Sequence, residues 1–149
     1  MKKLFLTLTI ILSMTGTVFA GPERVTLITE DEGAMKDAPP GLYDVGRVLN
    51  TGPEIKIISP EIADEYHPPV DINIVFEPTD DAKVDMSKFK VEYIKIMSLD
   101  ITDRFLQYTT KDGIRIKNAD FPRGKHKLKV TIGDDHGGIT EEIFTVKLL

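Results

Sequence analysis

The chain has 149 residues, no cysteine and no tryptophan, and it carries 19 lysines and arginines against 24 aspartates and glutamates, a net charge of −5. The lack of cysteine excludes a disulfide scaffold and a thiol oxidoreductase. The acidic balance disfavours nucleic acid and anionic membrane surfaces as partners, because like charges repel.

Residues 1–20, MKKLFLTLTIILSMTGTVFA, have the pattern of a secretory signal peptide. Two lysines precede an apolar run from Leu4 to Leu12, and small residues lead to Ala20. We predict cleavage after Ala20, which leaves 129 residues with a net charge of −7. The alternative is an uncleaved membrane anchor, but the apolar run is short and interrupted by threonines and a serine.

The predicted destination is a bacterial periplasm or the cell exterior, because the exported chain has no cysteine. A lipoprotein needs a cysteine directly after the cleavage site, and this chain has Gly21 there. We therefore expect no lipid anchor and no membrane insertion after cleavage. A chain of this length can bury a core as one domain without disulfides.

Residues 21–53 are dense in proline and glycine, which predicts a strap or linker. Within this strap, Arg24 to Ile28 could form one short strand, and Glu32 to Lys36 a brief helical turn. The sequence leaves open whether the strap packs on the following domain or extends from it as a tether.

From residue 54 onward, apolar residues recur at every second position, which is the period of a half-buried strand. Ile55 and Ile57 begin this pattern. The clearest strand runs from Val70 to Phe76, where apolar side chains share one face and Asp71 and Asn73 lie on the other. Prolines before and after this run mark its ends.

Two more strands are predicted before the last pair. Phe89 to Tyr93 alternates regularly, and then the apolar phase slips to Ile94 and Ile96, which indicates a bulge or a change of packing partner. A short strand is marked by Ile114 and Ile116.

The last predicted pair of strands surrounds the stretch GDDHGG, residues 133–138. Inward-facing residues can meet only in a register such as Leu128 opposite Phe144 or Val146, so we predict an antiparallel hairpin. Aspartate and glycine suit its turn, and we expect Gly137 or Gly138 to have a positive φ. A phosphate-binding loop would lead into a helix, and here a strand follows.

About seven short strands are thus predicted in residues 54–149, with no long helical period and no repeat. This pattern favours an all-β fold, and a sandwich is its natural packing.

Residues 54–149 resemble the immunoglobulin-like domains of bacterial secreted and surface proteins. The runs GPEIKIISP and PPVDINIVFEP are similar to their first two strands, and SLDITDR is similar to their mid-domain turn. The run GIRIKNADFPRGKHKLKVTIGDDHGG is similar to their closing pattern. The resemblance implies an immunoglobulin-like antiparallel β-sandwich and a role in protein interaction.

The chain departs from the pattern at His126, where such domains often carry a tyrosine, and in the closing loop, which lacks an asparagine after its glycine.

No residue of this sequence can be assigned a catalytic role. Nucleophilic catalysis needs a serine beside a base, and Ser59, Ser87 and Ser98 lie in no such context. The histidines are too scattered for a zinc or copper site. We expect His126 to be a core or edge ring, and His67 and His136 to be solvated. Met86 and Met97 form no cluster for copper.

Acidic loops leave calcium as an alternative, because calcium requires several convergent oxygens. The candidate groups lie in three loops: Asp80, Asp81 and Asp85; Asp100 and Asp103; Asp134 and Asp135.

Paired carboxylates could also hydrolyse glycosides, but close spacing in a turn is typical of solvated aspartates. A carbohydrate-binding module is disfavoured because tryptophan is absent and most aromatic residues fall on inward phases.

The sequence therefore predicts an exported, non-enzymatic immunoglobulin-like domain that binds another exported protein or serves as a structural module. It assigns no catalytic, cofactor-binding or metal-ligating residues, and it implies no cofactor. The alternative function is a calcium- or carbohydrate-binding module that uses the acidic loops.

Overall fold

The structure, a computed structural model, describes residues 21–43, 50–61 and 65–149. These residues form two five-stranded sheets around a shared hydrophobic core, with two short helices in the connections. The all-β, sandwich-like fold class is confirmed. The predicted signal peptide, residues 1–20, lies outside the described residues.

In chain order the elements are β1 (Val25–Thr26), α1 (Glu30–Gly33), β2 (Glu54–Ser59), β3 (Glu65–Tyr66), β4 (Val70–Glu77), β5 (Val84–Ile94), β6 (Ser98–Asp100), α2 (Thr102–Leu106), β7 (Thr109–Thr110), β8 (Gly113–Asp120), β9 (Gly124–Asp134) and β10 (Ile139–Leu148). Sheet A has the order β1-β8-β4-β2, and β7 also pairs with β8. Sheet B has the order β3-β10-β9-β5-β6. Seven strands of the described ranges have three residues or more, in agreement with the predicted number.

Most neighbouring strands pair in antiparallel fashion, and two short edge strands pair in parallel: β1 with β8, and β3 with β10. The β9–β10 hairpin places Leu128 opposite Phe144, as predicted. This register matters because a slip of one residue would turn every apolar side chain of the hairpin toward solvent.

The core lies between the sheets and is built by the alternation along the longer strands. On β4, Val70, Ile72, Ile74 and Phe76 are buried, while Asp71 between them is exposed. On β9, the buried series begins with His126. Full burial of one such aliphatic or aromatic side chain contributes about 1.5–3 kcal/mol to the stability of the fold. The core is therefore the main source of stability.

The phase slip at the end of β5 reflects a change of packing partner. Tyr93 is inside the core, and the next residue, Ile94, is also buried although it follows directly. Ile94 lines a groove together with Asp37, Ala38 and Pro40 of the strap. The strap therefore covers this end of the outer face of sheet B.

The described part of the strap packs on the sandwich. Strand β1 extends sheet A, and the amide of Leu27 donates a hydrogen bond to the carbonyl of Asp120 at 3.2 Å. Leu27 and Ile28 are almost completely buried. At the other end of the strap, the amide of Thr51 donates to the carbonyl of Ile139 at 3.0 Å. The question that the sequence left open is thus decided in favour of a packed strap.

Helix α1 begins two residues earlier than the predicted helical turn. The Thr29 hydroxyl accepts from the amide of Glu32, and the Glu32 carboxylate accepts from the amide of Thr29. This reciprocal capping fixes the start of the helix. No helix in the described ranges is long and apolar enough to cross a membrane.

Candidate functional site

The GDDHGG stretch forms the turn between β9 and β10. Asp134 is only 2% exposed, and its Oδ1 atom accepts hydrogen bonds from the amides of His136 at 3.0 Å and Gly138 at 2.7 Å. Gly137 has a φ of 88°, which confirms the expected positive φ. Asp134 therefore caps the turn from inside, a role that its sequence position did not reveal.

Two other loop carboxylates, those of Asp85 and Asp100, also bind their own turns. Asp85 accepts from the amide and hydroxyl of Ser87, and Asp100 accepts from the amide and hydroxyl of Thr102. These hydrogen bonds from the neighbouring hydroxyls lower the pKa of both aspartates. The amide of Lys83 donates a hydrogen bond to Asp135, and this bond lowers the pKa of Asp135.

Two of the candidate calcium residues meet in one place. Asp80 and Asp134 come from separate loops but line the same depression of about 280 Å³, beside Thr51 and Thr79. In the described part of the chain, no three histidine, cysteine, aspartate or glutamate side chains gather in a geometry that could hold a metal ion. The depression thus offers two carboxylates, with Oδ1 of Asp134 already committed to the turn.

Each of the three serine hydroxyls donates to a carbonyl or carboxylate oxygen rather than to a histidine. Ser59 donates to the carbonyl of Asp71 at 2.6 Å, Ser87 to Asp85 at 2.7 Å, and Ser98 to Glu92 at 3.0 Å. These contacts are those of structural turns and strand ends.

His126 is a buried ring, while His67 and His136 are exposed. Its Nε2 atom lies 2.7 Å from the carbonyl of Pro122, and its Nδ1 atom lies 2.8 Å from the hydroxyl of Tyr93. A carbonyl can only accept, so Nε2 carries the proton and Nδ1 accepts from Tyr93. Burial lowers the pKa of His126, which favours this neutral form. Both ring nitrogens are satisfied.

Lys95 provides a buried charge beside this ring that the sequence pattern did not indicate. Its ammonium donates to Oδ1 of Asp37 at 2.7 Å and to the carbonyl of Gly33 at 3.0 Å. Burial alone would lower the pKa of Lys95, but the hydrogen bond to Asp37 helps to keep that pKa raised. The side chain of Lys95 is 4% exposed, so this charge binds the strap from inside the protein.

A second ion pair anchors helix α1. The Arg104 guanidinium donates to both carboxylate oxygens of Glu32, at 2.8 and 2.6 Å, and also to the carbonyl of Leu27 at 2.7 Å. The hydrogen bond from Arg104 lowers the pKa of Glu32 to about 2. Because Arg104 lies on α2, this pair joins the strap to a connection more than seventy residues later in the chain.

The outer face of sheet B has an uneven charge distribution. At its centre, Lys129 lies 2.7 Å from Glu92 and 3.8 Å from Glu141. Nearer the strap, Lys125 and Lys127 make no ion pair with any described residue. We call the depression lined by Asp37, Ala38, Pro40, Ile94, Lys125 and Lys127 the strap groove; its volume is about 340 Å³.

The turn after β5 exposes apolar side chains beside the strap groove. Ile96 is 43% exposed and Met97 is 63% exposed. The amide of Ile96 donates to the carbonyl of Lys36 at 2.9 Å, which fixes this turn against the strap. The strap groove and the Ile96–Met97 turn together form the candidate interaction surface.

Comparison of the chain with models of protein families, with curated proteins and with solved structures finds no match.

Replacing Gly137 with valine should destabilise the fold by about 1–2 kcal/mol, because a β-branched residue is strained at positive φ. No atom lies within 4 Å of a Cβ built at this glycine, so only backbone strain acts there. Gly137→Asn is the matched control and should cost less, since asparagine tolerates this backbone conformation. Urea unfolding measures the difference. Equal stability of the wild type and the valine variant would contradict the assigned turn geometry.

Asp134→Asn should destabilise the fold by about 1–2 kcal/mol, because it weakens a buried acceptor of two amides. Asp135→Asn, on the exposed side of the same turn, should change stability by about 0.5 kcal/mol or less. If the turn is purely structural, millimolar calcium leaves the melting temperature of the wild type unchanged. A rise with calcium that disappears in Asp134→Asn would contradict this interpretation and support a cation site.

Glu32→Gln should lower the free energy of unfolding at neutral pH by about 1–2 kcal/mol. The pKa of Glu32 is lowered from 4.5 to about 2, so its contribution is complete above pH 4.5 and is lost as the pH falls toward 2. Wild type and variant should therefore converge near pH 2. Urea unfolding across this range is the measurement, with exposed Asp31→Asn as the control on the same helix. A difference that persists undiminished at pH 2 would refute the ion-pair explanation.

Proposed function

We propose that the chain is an exported, non-enzymatic immunoglobulin-like module that binds another exported protein or acts as a structural spacer. The observation that carries the binding role is the exposure of Ile96 and Met97 beside the strap groove. Methionine and other apolar side chains are enriched in the cores of protein interfaces. Here they lie on a turn whose backbone is tied to the strap.

Strand order supports the immunoglobulin-like assignment. Immunoglobulin domains have the order A-B-E-D in one sheet and C-F-G in the other. The order β2-β4-β8-β7 and the order β5-β9-β10 follow that arrangement. The parallel strand β3 lies at the edge of sheet B, where it pairs with β10.

His126 gives a second, independent support for this assignment. Immunoglobulin-like domains often have a tyrosine near the start of the penultimate strand, whose hydroxyl binds the backbone a few residues upstream. In this chain His126 has that position on β9, and its Nε2 atom binds the carbonyl of Pro122, four residues earlier. The ring thus performs the same backbone contact with a different side chain.

Turn contacts support a non-enzymatic role. The three serines considered as nucleophiles donate to carbonyl or carboxylate oxygens in the described structure. In the described structure none of the three donates to a histidine, the usual base of a serine nucleophile. The export signal, residues 1–20, remains a prediction from the sequence.

A second candidate function is weak calcium binding, favoured by one observation. Asp80 and Asp134 line the same small depression although they belong to different loops. Extracellular modules commonly bind calcium with a Kd of about 10⁻⁴–10⁻³ M. The calcium-dependent melts of Asp134→Asn separate this function from the structural turn.

The binding role predicts site-specific cross-linking in the periplasm. A photoreactive amino acid in place of Met97 should capture one or a few discrete proteins, because this side chain belongs to the candidate surface. The matched control carries the same group in place of Arg115, an exposed residue on β8 of sheet A. Equal capture from both positions, or capture from neither, would argue against the proposal.

A further inference from the structure

The cations of the strap groove are unbalanced on a chain that is acidic as a whole. The full sequence has a net charge of −5, yet Lys125 and Lys127 face outward on β9 without an ion pair among the described residues. Lys129, two residues further on the same face, is neutralised by Glu92 and Glu141. The imbalance is therefore local to the strap end of the strand.

The arrangement of the neighbouring strand makes this imbalance costly. Lys125 lies directly opposite Lys147 in the β9–β10 register. Like charges in this position are destabilising. Lys147 has Glu65 of β3 as a partner, whereas Lys125 has no described partner. Residues that oppose stability in this way are expected where function requires them.

The strap groove combines these charges with an apolar wall. Ala38, Pro40 and the nearly buried Ile94 line it together with Lys125, Lys127 and Asp37, whose carboxylate is paired with Lys95. Lys125 and Lys127 are alternate residues of one strand, so their Cα atoms are about 6.6–7 Å apart. An extended segment that carries carboxylates on alternate residues has the same spacing. Its intervening side chains point away from the groove, so an apolar side chain that also reaches this surface must lie at a further alternate position.

We propose that the strap groove and the Ile96–Met97 turn bind an extended acidic segment of a partner protein. Two carboxylates on alternate residues of that segment pair with Lys125 and Lys127, and an apolar side chain at the next alternate position packs on Pro40 and the exposed Ile96–Met97 turn. This inference rests on the proposed protein-binding function and names the chemistry of the partner.

The apolar components favour a protein over an anionic polysaccharide. Sugar rings are usually held on flat aromatic side chains, and the outward positions of β9 are Lys125, Lys127, Lys129 and Thr131. The exposed Ile96 and the flexible Met97 are suited to apolar side chains instead. The groove is thus closer in character to an interface than to a glycan platform.

The test uses the full mature chain and a defined probe. The probe is a fluorescent peptide in which two alternate glutamates and a leucine at the next alternate position share one face, with serine at the intervening positions. The controls are peptides with lysine or glutamine in place of glutamate. Fluorescence anisotropy should detect binding of the glutamate peptide alone, and this binding should weaken as salt is raised. The variant Lys125→Glu/Lys127→Glu should lose about tenfold or more in affinity.

The matched control variant is Lys83→Glu/Lys111→Glu. It changes the net charge by the same amount at exposed positions near the β9–β10 turn, at the other end of β9. Its affinity for the glutamate peptide should stay within about twofold of the wild type, since distant surface charges are screened. Circular dichroism and urea unfolding of both double variants verify that each one is folded.

Several results would overturn this inference. They are equal binding of the three peptides, retained affinity in Lys125→Glu/Lys127→Glu, stronger binding of a polyuronate chain than of the glutamate peptide, and self-association of the chain that blocks the groove. Failure of the inference can be told apart from failure of the proposed function. If a photoreactive group at Met97 captures the same proteins in the presence and absence of the two lysines, the binding function stands and the acidic-segment inference falls.

Discussion

The ring of His126 is the contact on which the strap end of the molecule depends. It occupies an inward position at the start of β9, where an unpaired nitrogen would cost about 1–3 kcal/mol. Tyr93 from β5 and the carbonyl of Pro122 satisfy its two nitrogens, so two strands and the corner between β8 and β9 are held by one side chain. Helix α1 packs on this corner: a Cβ at Gly33 would lie 2.9 Å from the Pro122 ring.

Apolar burial and ion pairs have different roles in holding the strap. Burial of Leu27 and Ile28 supplies most of the attraction, at about 1.5–3 kcal/mol for each side chain. The Glu32–Arg104 pair and the contact of Lys95 with Asp37 are directional and fix where the strap lies. The cost of leaving Lys95 buried without a partner is several kcal/mol, so the strap also protects the sandwich from an unpaired charge. Strap and sandwich therefore stabilise each other, and the strap in turn forms one wall of the groove that carries the proposed function.

Much of the sandwich could be predicted from the sequence, because its strands are short-range patterns. The period of two along Val70–Phe76 and along β9 predicts both the strands and the faces that are buried, and it sets the Leu128–Phe144 register. The packing of the strap could not be predicted, because it depends on pairs such as Glu32 with Arg104 that are distant in sequence. The burial of Lys95 could not be predicted either, because its partner Asp37 is distant in sequence. A lysine that follows a strand is usually solvated. The turn-capping role of Asp134 was hidden too, because burial distinguishes it from Asp135 and the two are adjacent in the chain.

Native-state hydrogen exchange of the mature chain tests most directly whether the strap is an integral part of the fold. The informative amides are those of Leu27, which donates to Asp120, and Ile96, which donates to Lys36. Both should exchange with an opening free energy close to that of Val130 in the centre of β9, because strap and sandwich open together. Rapid exchange of Leu27 and Ile96 while Val130 stays protected would show that the strap detaches independently, and it would contradict the account.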